Sequence, residues 1–130
     1  MITNGIVALL NATTAITAIC GNNIQPIPAP DDLADYPCVT YQVASDVSQY
    51  SLTNEAGPTQ SRIVFTCIAT SYLTARSLAL AIKGALTSYT GTLPDGTFVN
   101  DTEIVNMQDG FDDGSRLSTT SVHAMFYYAD

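Results

Sequence analysis

The clearest pattern along the chain is a change of period near residue 70. Ser61-Arg62-Ile63-Val64-Phe65-Thr66-Cys67-Ile68-Ala69-Thr70 is rich in β-branched and aromatic residues and holds neither glycine nor proline, so it predicts a strand. From Ser71 onward Ala75, Leu78, Ala79, Ile82 and Leu86 recur at helical spacing. Ser71 is placed to cap that helix, and Lys83 lies toward its C-terminal end, where a cation suits the dipole. A strand that runs straight into an amphipathic helix hides one apolar face. It carries no cluster of nucleophile, base or metal ligand, so it reads as scaffold.

The remaining pattern fills in around this unit. Ile6, Val7, Leu9, Leu10, Ile16 and Ile19 predict a first helix, capped by Thr3 or Asn4 and ended by Gly21, with Thr13, Thr14 and Thr17 weakening it. Residues 22–35 read as a loop. Pro26, Pro28 and Pro30 alternate ahead of Asp31, Asp32 and Asp35, which describes an extended surface crossover or an arm toward a neighbouring subunit. Pro37 to Ala44 predicts a strand with Val39, Tyr41 and Val43 on one face and Cys38, Thr40 and Gln42 on the other. Residues 45–60 are polar and centred on Asn54-Glu55-Ala56-Gly57-Pro58, as in a long loop or wide hairpin. Gly91, Pro94 and Asp95-Gly96 put turns into residues 90–100. A third strand follows over Thr102 to Gln108, a connection over Asp109 to Ser115, and a fourth strand over Leu117 to Tyr128. That last strand alternates strongly: Val122, Ala124, Phe126 and Tyr128 against Ser121, His123, Met125 and Tyr127. The expectation is a single α+β domain over residues 1–130. Its two layers are two helices on one face of a four-stranded antiparallel sheet, in the order helix-strand-strand-helix-strand-strand.

Composition narrows the function classes. The chain has 130 residues, 46% of them hydrophobic, which is too many for a disordered protein. Only 12% are charged, and sparse charge favours protein–protein contact, because interface centres are depleted in charge. The net charge is −8, and Arg62, Arg76, Lys83 and Arg116 are the only cations, so no basic stripe exists to neutralise phosphates. An acidic wall beside DNA would instead repel it and prevent sticking. Neither a signal peptide nor a membrane span is expected, and a soluble cytosolic protein is the default.

Candidate chemistry is thin. Cys20, Cys38 and Cys67 form no CxxC pair and read as buried thiols; with His123 as the lone imidazole, no metal and no cofactor are expected. Asp109, Asp112 and Asp113 with Gly110 and Gly114 lack the ligand spacing and closing glutamate of a calcium loop. Ser121 and His123 are ordinary neighbours on one strand face, and no G-x-S-x-G elbow or P-loop occurs. A small hydrolase using His123 and a nearby carboxylate is the enzymatic alternative. The seven tyrosines suit half-buried sheet margins or interface anchors.

Four segments carry a family resemblance. Tyr36-Pro37-Cys38-Val39-Thr40-Tyr41-Gln42-Val43, following a proline-rich loop, resembles the first strand of small tail-completion or tail-terminator proteins of long-tailed bacteriophages. Ser61-Arg62-Ile63-Val64-Phe65 is similar to that family's next strand. Ser71-Tyr72-Leu73-Thr74-Ala75-Arg76-Ser77-Leu78-Ala79 resembles its helix start, and Val122 to Tyr127 its last strand. The order and spacing match over most of the chain, though not over residues 22–35 or 90–100. The resemblance implies a virion protein made in the bacterial cytoplasm that is not an enzyme. It implies a homo-oligomeric ring, typically a hexamer, on the head-proximal end of the tail tube. Such a ring ends tube growth, joins the tail to the head connector, and lets DNA pass through its lumen without specific binding. On that reading the loop with Gln49, Tyr50, Asn54 and Glu55 and the turn with Asp109, Asp112, Asp113 and Arg116 face partners or the lumen. A tube subunit or head-side connector protein of the same virion is the structural alternative.

Overall fold

The period change near residue 70 is the join between the sheet and its covering helix. The computed structural model describes residues 2–21, 23–27, 36–50, 56–87, 89–112 and 116–128. In chain order the elements are α1 (Ile2–Asn11), α2 (Thr14–Cys20), β1 (Ile24–Pro26), β2 (Cys38–Tyr50), β3 (Ala56–Ala69), α3 (Tyr72–Leu86), β4 (Gly91–Thr92), β5 (Phe98–Asp112) and β6 (Leu117–Tyr128). The strands form one sheet in the order β1-β2-β3-β6-β5-β4. All neighbours are antiparallel except β1, which runs parallel to β2.

Six strands and three helices among the described residues replace the four strands and two helices expected, and the sheet is mixed. The extra strands were hidden by their own residues. β1 is three residues long and ends on Pro26, and β4 is two residues long and begins on Gly91. Nothing so short and so broken shows an alternation. The single N-terminal helix is split because Thr13 leaves the helical region (φ −90°, ψ 111°) while its hydroxyl donates to the Leu9 carbonyl at 2.9 Å. A β-branched hydroxyl that finds a local carbonyl competes with the helix in this way. Helix α1 already runs from Ile2, so Thr3 and Asn4 lie inside it and do not cap it. Gly21 ends α2 as expected, at φ 63°, with its N–H on the Thr17 carbonyl at 2.8 Å.

Strand alternation decides which face is covered. On β6 Val122, Ala124, Phe126 and Tyr128 are buried, while Ser121, His123, Met125 and Tyr127 are half-buried. On β3 Ile63, Phe65 and Cys67 join the buried face. Helix α3 lies on this face across β6, β3 and β5, and α2 packs against α3. Leu78, Ala79, Ile82 and Leu86 of α3 meet Phe65 and Phe126, whose rings stand edge to face with centroids 6.5 Å apart. Ile6, Leu10, Ile16 and Cys20 close the same core from α1 and α2. A smaller cluster of Cys38, Ile68 and Leu117, with Tyr36 beside it, sits on the other face at one end of the sheet. The three cysteines are free and buried, and burial, with Cys20 and Cys38 nearby, pushes the Cys67 thiol far above its usual range.

Candidate functional site

Strand register fixes where the two candidate loops lie. Strand β3 pairs with β6 from Thr59↔Tyr128 to Ala69↔Ser118. The β2–β3 hairpin closes beyond Tyr50↔Ala56, at the Tyr128 end. The β5–β6 hairpin closes beyond Asp112↔Leu117, at the Ser118 end. Ten residue steps at about 3.3 Å put the two ends roughly 33 Å apart. The two groups of predicted residues are therefore not one site but the opposite poles of one sheet.

At the first pole the backbone of Gln49 and Tyr50 belongs to the end of β2, and Asn54 and Glu55 lie outside the described residues. The expected loop over residues 45–60 is mostly strand, with only residues 51–55 left to connect β2 and β3. At the second pole Asp112 ends β5, Asp113 lies outside the described residues, and exposed Arg116 adopts φ 57° just before β6.

Asp109 is exposed but tied to its neighbours. Its carboxylate accepts hydrogen bonds from Thr120 Oγ1 (3.0 Å), Tyr72 Oη (3.0 Å) and Arg76 Nη1 (3.4 Å). The Thr120 bond, then Tyr72 and Arg76, hold its pKa below the ordinary carboxylate value; the Tyr72 pKa is raised in turn, chiefly by its bond to Asp109. The group ties the first turn of α3 to the β5–β6 hairpin. Tyr72, Leu73 and Phe111 are exposed near this end.

The uncovered face of the sheet carries a second cluster that sequence reasoning missed. Arg62 of β3 and His123 of β6 lie there, with Arg62 Nη2 donating to His123 Nδ1 at 3.0 Å. Arg62 Nε is buried and unpartnered, and the one ion pair among the described residues is Arg76–Asp109 at 3.4 Å. A half-buried guanidinium without a carboxylate is costly. The signal in the sequence was a lone cation amid the apolar run Ile63-Val64-Phe65. His123, singled out as a proton shuttle, has one ring nitrogen committed to that cation. Burial, and then Arg62, push its pKa below the ordinary 6.5.

This shift has a consequence for acid stability. A histidine held neutral in the fold binds fewer protons than in the unfolded chain, so stability falls as pH drops below about 6.5. His123→Gln is expected to flatten the loss between pH 7 and 5 in urea titrations. The Asp109 contribution disappears only at lower pH, below the ordinary carboxylate value of 3.8, and should survive that substitution. An unchanged pH profile in the variant would contradict the neutral-histidine assignment.

Along β5 a groove of about 320 Å³ is lined by Lys83, Thr87, Asp101, Thr102, Glu103 and Ile104. Glu103 also accepts from Tyr127 Oη at 3.4 Å. Among the described residues no group of three His, Cys, Asp or Glu gathers to hold a metal, and no helix is long and apolar enough to cross a membrane.

Comparison with known proteins agrees with this geometry. Residues 4–129 match the family model described as tail completion protein gp17. A chain from the solved structure described as "Virion of native gene transfer agent (GTA) particle" superposes with a TM-score of 0.79. It is 15% identical, over 95% of this chain and 90% of that one, so the likeness is one of fold. No curated protein sequence matches.

Proposed function

The chain belongs to the tail completion protein gp17 family and is thereby a structural protein of a phage tail, and we propose from that premise that it forms a ring capping the head-proximal end of the tail tube. The observation that carries the reading is the family match over nearly the whole chain, together with a fold shared with a virion chain. The physical features support it. A surface with few charges suits large subunit contacts. A net charge of −8 suits the wall of a channel through which DNA slides without binding. Two hairpins at opposite poles of one rigid sheet give a subunit two ends, one for the tube and one for the head connector. The protein works by shape and is not an enzyme.

Native mass spectrometry of the purified protein, with and without purified tail tubes, tests this. The expected result is a closed oligomer of one stoichiometry, a hexamer, that appears with tubes and stops their elongation. Long cylinders made of this protein alone would identify a tube subunit instead, since an open heterologous contact grows without limit. A monomer that leaves tube growth unchanged would end the reading.

A further inference from the structure

Strand β5 is paired on one side only for most of its length. Its inner side is laddered to β6 from Val99 to Asp112. On its outer side β4 covers Phe98 and Val99, and the Thr102 hydroxyl donates to the Tyr89 carbonyl at 3.1 Å, so the chain runs beside it as far as Thr102. From Glu103 to Phe111, about 26 Å of strand, no described strand lies outside it. Residues 28–35 join β1 to β2 at the far edge of the sheet, with β3 and β6 between, and residues 113–115 connect β5 to β6 beyond Asp112.

This open edge is one wall of a channel whose other wall is α3. The helix runs opposite to β5: Arg76, near its start, bonds Asp109, while Lys83 and Thr87, near its end, line the groove with Thr102 and Ile104. Leu80 falls between them on the same helix face and is 48% exposed. Ile104 and Met107 are half-buried on the strand side, opposite Ala124 and Val122 of the covered face. Val105, left out of the ladder by the bulge at Ile104/Asn106, is exposed. Asp101 and Glu103 are exposed on the other face of the strand, opposite Tyr127 and Met125, and neither forms an ion pair with a described residue. Unpaired backbone, an apolar floor and an acidic rim are the features by which a sheet edge takes up a further strand.

Resting on the virion reading above, we propose that the edge Glu103–Phe111 captures an extended segment of a different virion protein. The segment adds as a strand, turns aliphatic side chains onto Leu80, Ile104 and Met107, and sets a lysine or arginine against Asp101 and Glu103. Charge excludes a second copy as the occupant. The chain has four basic side chains, Arg62, Arg76, Lys83 and Arg116. Arg62 lies in β3, which is paired on both sides. Arg76 and Lys83 lie in helix α3, and Arg116 immediately precedes β6, which is also paired on both sides. No free strand of this chain carries a cation, so a copy would bring only a neutral or acidic edge to the two carboxylates. A foreign segment that alternates basic and aliphatic residues satisfies both faces of the edge at once.

Two synthetic peptides of equal length, one alternating lysine with valine and one alternating glutamate with valine, test this on the full chain at physiological salt. The lysine peptide is expected to bind about tenfold tighter or more, and to slow amide exchange within residues 103–111 by a similar factor. Methylating its ladder-side backbone nitrogens should cost about tenfold in affinity, which a contact made by charge alone would not show. Asp101→Asn with Glu103→Gln should abolish the preference for lysine over glutamate. In purified phage tails residues 103–111 should exchange more slowly than in the protein alone. Equal affinity for the two peptides, unchanged exchange at 103–111, or undiminished binding of the methylated peptide would overturn the capture. So would protection of 103–111 in an oligomer of this protein alone, because a second copy would then fill the edge. Caps that form although the peptides fail would leave the ring reading standing; peptide capture without caps would support this edge and count against the ring.

Discussion

Phe126→Ala is expected to lower stability by about 3–5 kcal/mol, the usual range for deleting a buried aromatic ring. Phe126 is 0% exposed and stands edge to face with Phe65, which is 1% exposed. It lies on the strand face that receives α3, among Leu78, Ile82 and Leu86. Truncation leaves a cavity in the middle of the helix–sheet seam and removes the aromatic pair as well. Against a typical domain stability of about 5–15 kcal/mol, the variant should be barely folded at 37 °C. Phe111→Ala is the control. Phe111 is 55% exposed, and its loss should change stability by no more than about 0.5 kcal/mol. Urea unfolding followed by circular dichroism measures both. Similar costs for the two phenylalanines would contradict the assignment of the covered face.

Gly5→Ala is the second large effect, and its sign runs against helix propensity. Gly5 is buried within α1, where alanine alone would favour the helix by about 1 kcal/mol. An added Cβ would stand 2.9 Å from Leu93 Cβ and collide with the Asp95 carboxylate. Neither neighbour moves freely. Leu93 is 2% exposed, with its N–H on the Thr97 carbonyl at 2.7 Å; Asp95 caps its turn by accepting from Thr97 N (3.0 Å) and Thr97 Oγ1 (3.1 Å). Overpacking of this kind costs about 1–3 kcal/mol, so the substitution is expected to be destabilising overall. Asp95→Ala added to it should recover part of the loss, which a double-mutant cycle measures. A Gly5→Ala protein more stable than wild type would show that α1 does not lie against the 93–97 turn.

The parts of the fold legible in the sequence were those with one face fully buried. Strand β3, helix α3 and strand β6 each alternate or recur cleanly because one side of each meets the core. The Leu78-Ile82-Leu86 stripe and the Val122-Ala124-Phe126 face are both found where expected. Strands β2 and β5 were read too short, and β3 lost residues 56–60 to the expected loop. Their outer halves, residues 45–50 and 109–112, carry serine, glutamine, aspartate and glycine, and the backbone ladder to a partner strand holds them. Side-chain pattern cannot report hydrogen bonds of that kind. Strands β1 and β4 are too short for any period, and their proline and glycine read as turn.

The candidate site was half legible for a related reason. Gly, Asp and Asn clusters mark where a chain reverses, so both hairpin poles were located from composition alone. Asp109 shows the limit. It was read as part of a turn, whereas it lies within β5, where Thr120, Tyr72 and Arg76 tie it to the start of α3 while it stays exposed. Those three partners come from different elements, and only the fold makes them neighbours. Arg62 went unassigned because its meaning depends on its surroundings in the fold, a half-buried guanidinium with a buried, unpartnered Nε and no ion pair among the described residues.

The most direct test of assembly by shape is electron microscopy of the purified protein mixed with purified tail tubes. The account predicts added density at a single end of each tube, with one closed cyclic symmetry and an open central channel. Tubes with bare ends at saturating protein, or protein strung along the tube walls without a closed ring, would contradict it.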